Sequence, residues 1–263
     1  MDLEVSGKTA IVSAGSKGLG KAIALGLAKE GARVAICSRS PDNLSQAAQE
    51  IQAVAEFEVL AVPVDVMKPD AIENFVNTIV QRQGKIDILV NNAGGPPVGT
   101  FADFEDEDWE NAFNLTFMSV VRFVRAVLPH MRKTDGGRII NVTSTSVKQP
   151  LENLLLSNSI RPAVIGLAKS LANELADDGI LVNNICPGSI YTDRIKDNVA
   201  AQVKATGQSE ESIMQEYEAK IPLSRLGKPV ELADLAVFLA SPRASYITGA
   251  TLQVDGGLVR SIM

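Results

Sequence analysis

Ser157 and Arg161 stand one helical turn apart in the stretch LLLSNSIRPAVIGLAKSLANEL, which reads as a core helix with polar first turns. At i and i+4 the two side chains share a face, so whatever that face touches meets both. A serine hydroxyl donates and accepts hydrogen bonds, whereas a guanidinium only donates and keeps its charge. Neither is tuned for proton exchange near neutral pH, but together they can do electrostatic work on an oxygen atom. The plainer account is a capped helix with a solvated arginine, since small polar residues favour a helix start.

A second chemical feature is rich in glycine. The apolar run KTAIVS leads into SAGSKGLGKAIALGLAKEG, where Gly15, Gly18 and Gly20 bring the backbone close at a strand-to-helix turn. The helix that follows offers unpaired N–H groups to a phosphate, which points to a dinucleotide held by Ser13, Gly15, Ser16, Lys17, Gly18, Leu19 and Gly20. The next apolar run, ARVAIC, ends in Ser38 and Arg39, where an acidic residue would favour NAD by binding the adenosine ribose. Arg39 can instead grip a 2′-phosphate through two N–H bonds, and Lys17 adds a second positive charge, so the expected cofactor is NADP(H).

Along the chain, short β-branched runs alternate with helical patterns. KTAIVS, ARVAIC, EVLAVPV, IDILV, GRIINV, ILVNNI and TLQV read as strands. Helices are predicted near 19–29, 41–55, 69–83, 109–132, 157–176 and 230–239. Strands that are apolar throughout and separated by helices imply an α/β, doubly wound, parallel seven-stranded sheet with its ligand beyond the strands' carboxyl ends. No linker or repeat interrupts the pattern, so residues 1–263 read as a single domain. Residues 191–229 form a long, helix-prone connection suited to a substrate lid.

Composition bounds the alternatives. With 263 residues, 46% of them hydrophobic and 21% charged, the chain can bury a sizeable core. A net charge of -6 argues against a broad nucleic-acid-binding surface. No apolar run reads as long enough to span a bilayer, and the acidic start MDLEV is unlike a signal peptide. Cys37 and Cys186 lack metal or redox spacing and read as buried free thiols, which fits a cytoplasmic protein. His130 is the sole histidine, so no metal site is expected.

Further motifs follow in order: VPVDV closing the third strand, NNAG after the fourth, NVTSTS after the fifth, NNICPGSIYTDR after the sixth and ITGATLQVDGG near the end. Together they resemble the short-chain dehydrogenase/reductase family over essentially the whole chain, closest to its 3-oxoacyl-carrier-protein reductase-like members. The resemblance implies a Rossmann domain, with Asp65 and Val66 bordering the adenine. It further implies that Asn92, Ala93 and Gly94 line the cofactor cleft, and that Pro187, Gly188 and Thr192 wrap the nicotinamide end. It also implies a homotetramer. Ala14 replaces the family's first glycine, which is tolerable if its backbone dihedrals are ordinary.

In this family a tyrosine and a lysine four residues apart act with a serine and an asparagine. Asn114 in NAFNLTF and Ser144 in NVTSTS match the last two, whereas Ser157 falls at the tyrosine and Arg161 at the lysine. The expected catalytic set is therefore Asn114, Ser144, Ser157 and Arg161, with Arg161 also holding the nicotinamide ribose. The proton for the product alkoxide must then come from water, Tyr191 or Lys148. The expected activity is an NADP(H)-dependent oxidoreductase acting on a small carbonyl or alcohol substrate. The alternative is an NADP(H)-binding sensor or interaction protein with little turnover.

Overall fold

The structure, a computed structural model, describes residues 2–262. Seven strands form one parallel sheet: β1 (Thr9–Ser13), β2 (Arg33–Ser38), β3 (Leu60–Pro63), β4 (Ile88–Asn91), β5 (Gly137–Val142), β6 (Ile180–Pro187) and β7 (Thr251–Val254). Their spatial order is β3-β2-β1-β4-β5-β6-β7, so the chain reverses its direction of travel between β1 and β4. Adjacent loops diverge at such a point and leave a crevice for a ligand. This is the doubly wound α/β sheet expected from the sequence.

Alternate residues of each strand face opposite layers. On one side Ala10, Val12, Val90 and Ile140 pack against Ile23 and Leu27 of α1 (Gly18–Lys29), Leu44 of α2 (Pro41–Gln52) and Leu232 of α9 (Pro229–Ala240). On the other, Ile11, Leu89, Ile139 and Val182 meet Ile72 and Phe75 of α3 (Pro69–Gln83), Phe123 of α5 (Ser119–Met131) and Val164 of α6 (Leu155–Glu174). Phe75 and Phe123 close that layer edge to face, with ring centroids 6.4 Å apart.

At the carboxyl end the core turns polar. Asn91, Asn141 and Asn184 stand in register on β4, β5 and β6. Asn91 donates to Asn141 at 2.8 Å, Asn141 to Asn184 at 3.0 Å, and Asn184 to Thr251 Oγ1 at 3.1 Å. This ladder joins four strands beneath the crevice, and only Asn91 Oδ1 is left buried without a partner in it.

Two expectations change. The helix predicted over 109–132 is divided: α4 (Asp106–Phe113) passes through a π-helical turn at Asn114–Met118 into α5. Contrary to the expectation that no run could span a bilayer, Asp106–Met131 is long and apolar enough to do so by length and composition alone. Its apolar face, including Val120, Phe123, Val124 and Val127, is instead used by the core, and its first turn carries Asp106, Glu107 and Asp108. Residues 191–229 hold two helices, α7 (Asp193–Thr206) and α8 (Glu210–Ala219). Cys37 and Cys186 are buried free thiols, as expected.

Candidate active site

The glycine turn is tight enough to show why glycines are used. A Cβ on Gly20 would overlap the Ala14 carbonyl oxygen and crowd Asn92 Nδ2, and one on Gly15 would press into Ile36 at 2.8 Å. Gly18 has a φ of 52°, a left-handed conformation that costs glycine little. Ser13 pins the turn to the end of β4: its Oγ donates to the Asn92 carbonyl at 2.7 Å and accepts from the Asn92 N–H at 2.9 Å. Asn92 Nδ2 then donates to the Ala14 carbonyl at 3.3 Å. Ser16, Lys17 and Leu19 remain partly or fully accessible around this backbone cradle.

Ala14 departs from expectation. Its φ is 46°, so the methyl group stands in the left-handed region that disfavours a Cβ. Ala14→Gly removes that strain, and its gain is partly offset by the greater freedom of unfolded glycine. We expect a net stabilisation of about 0.5–1 kcal/mol, read as a modest rise in the thermal midpoint.

At the adenosine end, Ser38 Oγ is buried without a partner, as suits a group awaiting a ligand. Arg39 and Lys17 are exposed and join no ion pair among the described residues. Asp65 Oδ1 accepts from the Met67 N–H at 3.0 Å, which shapes the loop beyond β3, and Val66 is buried behind it. Ala93 and Gly94 follow Asn92 in the loop after β4, where Ala93 is half-buried and lines a small cavity and Gly94 is exposed. On its far side Gly188 packs so closely on Asp255 that a Cβ would sit 2.7 Å from the Asp255 backbone. Pro187 ends β6, and Thr192 caps α7 with its methyl beside Gly18. These residues fit a phosphorylated dinucleotide lying across the crevice.

The capped-helix account of Ser157 and Arg161 fails on burial. Helix α6 begins at Leu155, so Ser157 already lies within its first turn, with 6% exposure, and Arg161 has only 8%. It is Asn158 that secures the preceding loop, accepting from the Leu151 N–H at 3.1 Å and donating to the Leu151 carbonyl at 2.8 Å. Arg161 donates to the Thr143 carbonyl at 3.0 Å and reaches that of Val142 at 3.4 Å. Burial first, and the charge of Arg194 second, lower its pKa to about 10.

Three serines connect to this helix. Ser144 Oγ accepts from the Ser146 N–H at 3.1 Å, while Ser146 Oγ lies 2.9 Å from Ser157 Oγ. Ser146, absent from the sequence-based set, thus links Ser144 to Ser157. Beside Arg161 a cavity of about 10 Å³, close to a single water site, is lined also by Asn91, Thr116, Ser119 and Val142.

Asn114 contributes differently from expectation. Its side chain donates to the Glu110 carbonyl at 3.0 Å and accepts from Arg122 Nη2 at 3.0 Å, so it is already engaged away from the serines. Its carbonyl accepts from the Ser119 N–H, which defines the π-helical turn, and that turn packs on α6. Tyr191 is 46% exposed and faces a groove with Lys21, Leu25 and Val230, with Lys196 Nζ 5.3 Å from its ring centroid. The structure therefore does not bring Tyr191 to Ser157.

Sheet order, glycine turn and polar crevice define a dinucleotide-binding α/β protein. A family profile described as Enoyl-(Acyl carrier protein) reductase matches residues 13–259. The chain belongs to the short-chain dehydrogenase/reductase family. Among its relatives, the rabbit (Oryctolagus cuniculus) protein "Dehydrogenase/reductase SDR family member 4" is 38% identical, covering 96% of this chain and 94% of its own. "Oxidoreductase UcpA" of Escherichia coli O157:H7 is 36% identical over 97% and 95% of the respective chains. The crystal structure of L-sorbose reductase from Gluconobacter frateurii, complexed with NADPH and L-sorbose, superposes with a TM-score of 0.96 at 36% identity, covering 100% of both chains.

Proposed function

We propose that this protein is an NADP(H)-dependent oxidoreductase that interconverts a small carbonyl compound and its alcohol through Ser144, Ser157 and Arg161. The observation that carries this reading is the burial of Ser157 and Arg161 on one face of α6, beside the carboxyl end of β5. The NADPH-bound state of the L-sorbose reductase neighbour supports the choice of cofactor, as do the exposed cations Lys17 and Arg39. Turnover is favoured over the sensor alternative because the relatives are named oxidoreductases and reductases.

When bound, NADPH supplies the hydride. Ser144 and Ser157 donate hydrogen bonds to the carbonyl oxygen, polarising it before hydride arrives and holding the alkoxide afterwards. Arg161 secures the nicotinamide ribose and adds positive charge beside the same oxygen. Asn114 acts as a positioning residue: through its backbone turn it sets α5 against α6. The alkoxide takes its proton from water, and the small cavity beside Arg161 and the orphaned Asn91 Oδ1 gives room for one such molecule near the site. Residues 191–229 act as the substrate lid of a single-domain chain, and family likeness supports a homotetramer and a cytoplasmic setting.

The test is NADPH consumption by the purified protein across ketones, aldehydes, diketones and 3-oxoacyl thioesters, with the alcohol product identified. Oxidation of NADPH in step with alcohol formation is expected. Tight NADPH binding with conversion of none of these substrates would overturn the reading.

A further inference from the structure

Arg161 is not the only guanidinium in the crevice. Arg194, in the first turn of α7, reaches back to the loop after β4, where its Nη2 donates to the Pro96 carbonyl at 3.4 Å. It lies against Gly95 so closely that any Cβ there would collide with Nη1. Arg194 thus bridges the two walls of the crevice at its mouth. It is accessible from the opening, yet the surrounding protein is enough to depress its pKa.

Other cations lie near it. Arg194 and Arg161 are near enough for the first to depress the pKa of the second, and Lys148 and Arg161 both act on the Cys186 thiol. Burial is the larger influence on that thiol and holds its pKa up, so Cys186 supplies no negative charge near neutral pH. Among the described residues, no carboxylate forms an ion pair with Arg161, Arg194 or Lys148. Like charges gathered in a partly desolvated site repel one another unless an anion joins them.

We propose that Arg194 binds an anionic group on the substrate, so that the enzyme prefers a carbonyl compound bearing a carboxylate to its neutral counterpart. This specificity rests on the oxidoreductase reading. The ligand chemistry is an oxyanion, and it has two possible sources. One is the substrate carboxylate. The other is the pyrophosphate of the dinucleotide, because Thr192 brings the start of α7 beside Gly18. The contacts of Arg194 distinguish them: its guanidinium lies on Gly95 and Pro96 of the loop after β4 rather than on the Gly15–Gly20 turn.

The experiment measures binding without turnover, so failure of the redox reading does not decide it. Protein loaded with NADP+ is titrated calorimetrically with 2-oxobutanoate, 3-oxobutanoate and 4-oxopentanoate, each against its methyl ester. The three probes vary the distance from ketone to carboxylate. At least one acid is expected to bind more tightly than its ester. Arg194→Met is expected to weaken that acid by about 10- to 100-fold while leaving the ester and NADP+ within about twofold, and Arg194→Lys to restore part of the loss. Weakened NADP+ binding in Arg194→Met, with no difference between acid and ester, would assign the arginine to the pyrophosphate and overturn the proposal. Wild-type protein that binds every ester as well as its acid would overturn it too.

Discussion

Arg161→Met is expected to lower kcat by about 10²- to 10³-fold, the scale on which single groups that stabilise an oxyanion act. Methionine keeps much of the buried volume but removes the charge and the hydrogen bonds to Thr143 and Val142. The side chain is almost wholly enclosed, so the loss of charge cannot be made good by bulk solvent. Ser157→Ala is the milder companion. It removes one donor and the contact with Ser146 Oγ at 2.9 Å, leaving Arg161 in place. Activity should fall in both variants, further in Arg161→Met, when rates are measured at saturating NADPH and the fold is checked by circular dichroism. A kcat unchanged in both would remove this face of α6 from the chemistry.

The second large effect is on cofactor choice. Arg39→Ala should weaken NADPH by about 10- to 100-fold and leave NADH within about threefold, because the lost contact is a charge-assisted grip on the 2′-phosphate alone. Lys17→Ala should move affinity in the same direction by less, since an ammonium meets phosphate as a point charge without the two-pronged geometry. Ser38, half-buried with an unpartnered Oγ and next to Arg39 in sequence, would give the proposed phosphate site a neutral donor as well. Fluorescence titration with both cofactors reads the difference. Equal losses for NADPH and NADH would show that Arg39 supports the local fold rather than the phosphate.

Much of this was legible in the sequence because it depends on local rules. Apolar runs of strand length separated by helices specify a parallel sheet, and Gly15, Gly18 and Gly20 mark a tight turn, crowded at Gly15 and Gly20 and at positive φ at Gly18. The spacing of Ser157 and Arg161 placed them together on a helix face. What stayed hidden depends on backbone geometry and on residues distant in sequence. Nothing local announces that Ala14 takes a positive φ. The π-helical turn at Asn114, packed on α6, has no local sequence mark, and neither does the engagement of the Asn114 side chain with the Glu110 carbonyl and Arg122. Ser146 reads as one more polar residue until α6 brings Ser157 to it. Arg194 lies 98 positions from Pro96, and only the return of α7 over the β4 loop joins them.

In the proposed mechanism, carbonyl reduction proceeds without an ionising proton donor tuned to neutral pH. The most direct measurement is kcat for NADPH-dependent reduction from about pH 6 to about pH 10.5, with saturation by both substrates maintained at each point. Arg161, with its pKa lowered to about 10, is protonated throughout the lower part of that range and loses its charge as pH rises through that value. The stabilisation it gives the alkoxide is therefore present below about pH 10 and lost above it. Serine hydroxyls do not titrate in this range, and the Cys186 thiol is held above its ordinary pKa by burial. The account predicts a flat kcat from about pH 6 to about pH 9, with a fall only on approaching pH 10. A clear inflection between about pH 7 and about pH 9 would contradict it, because a titrating acid would then be supplying the proton.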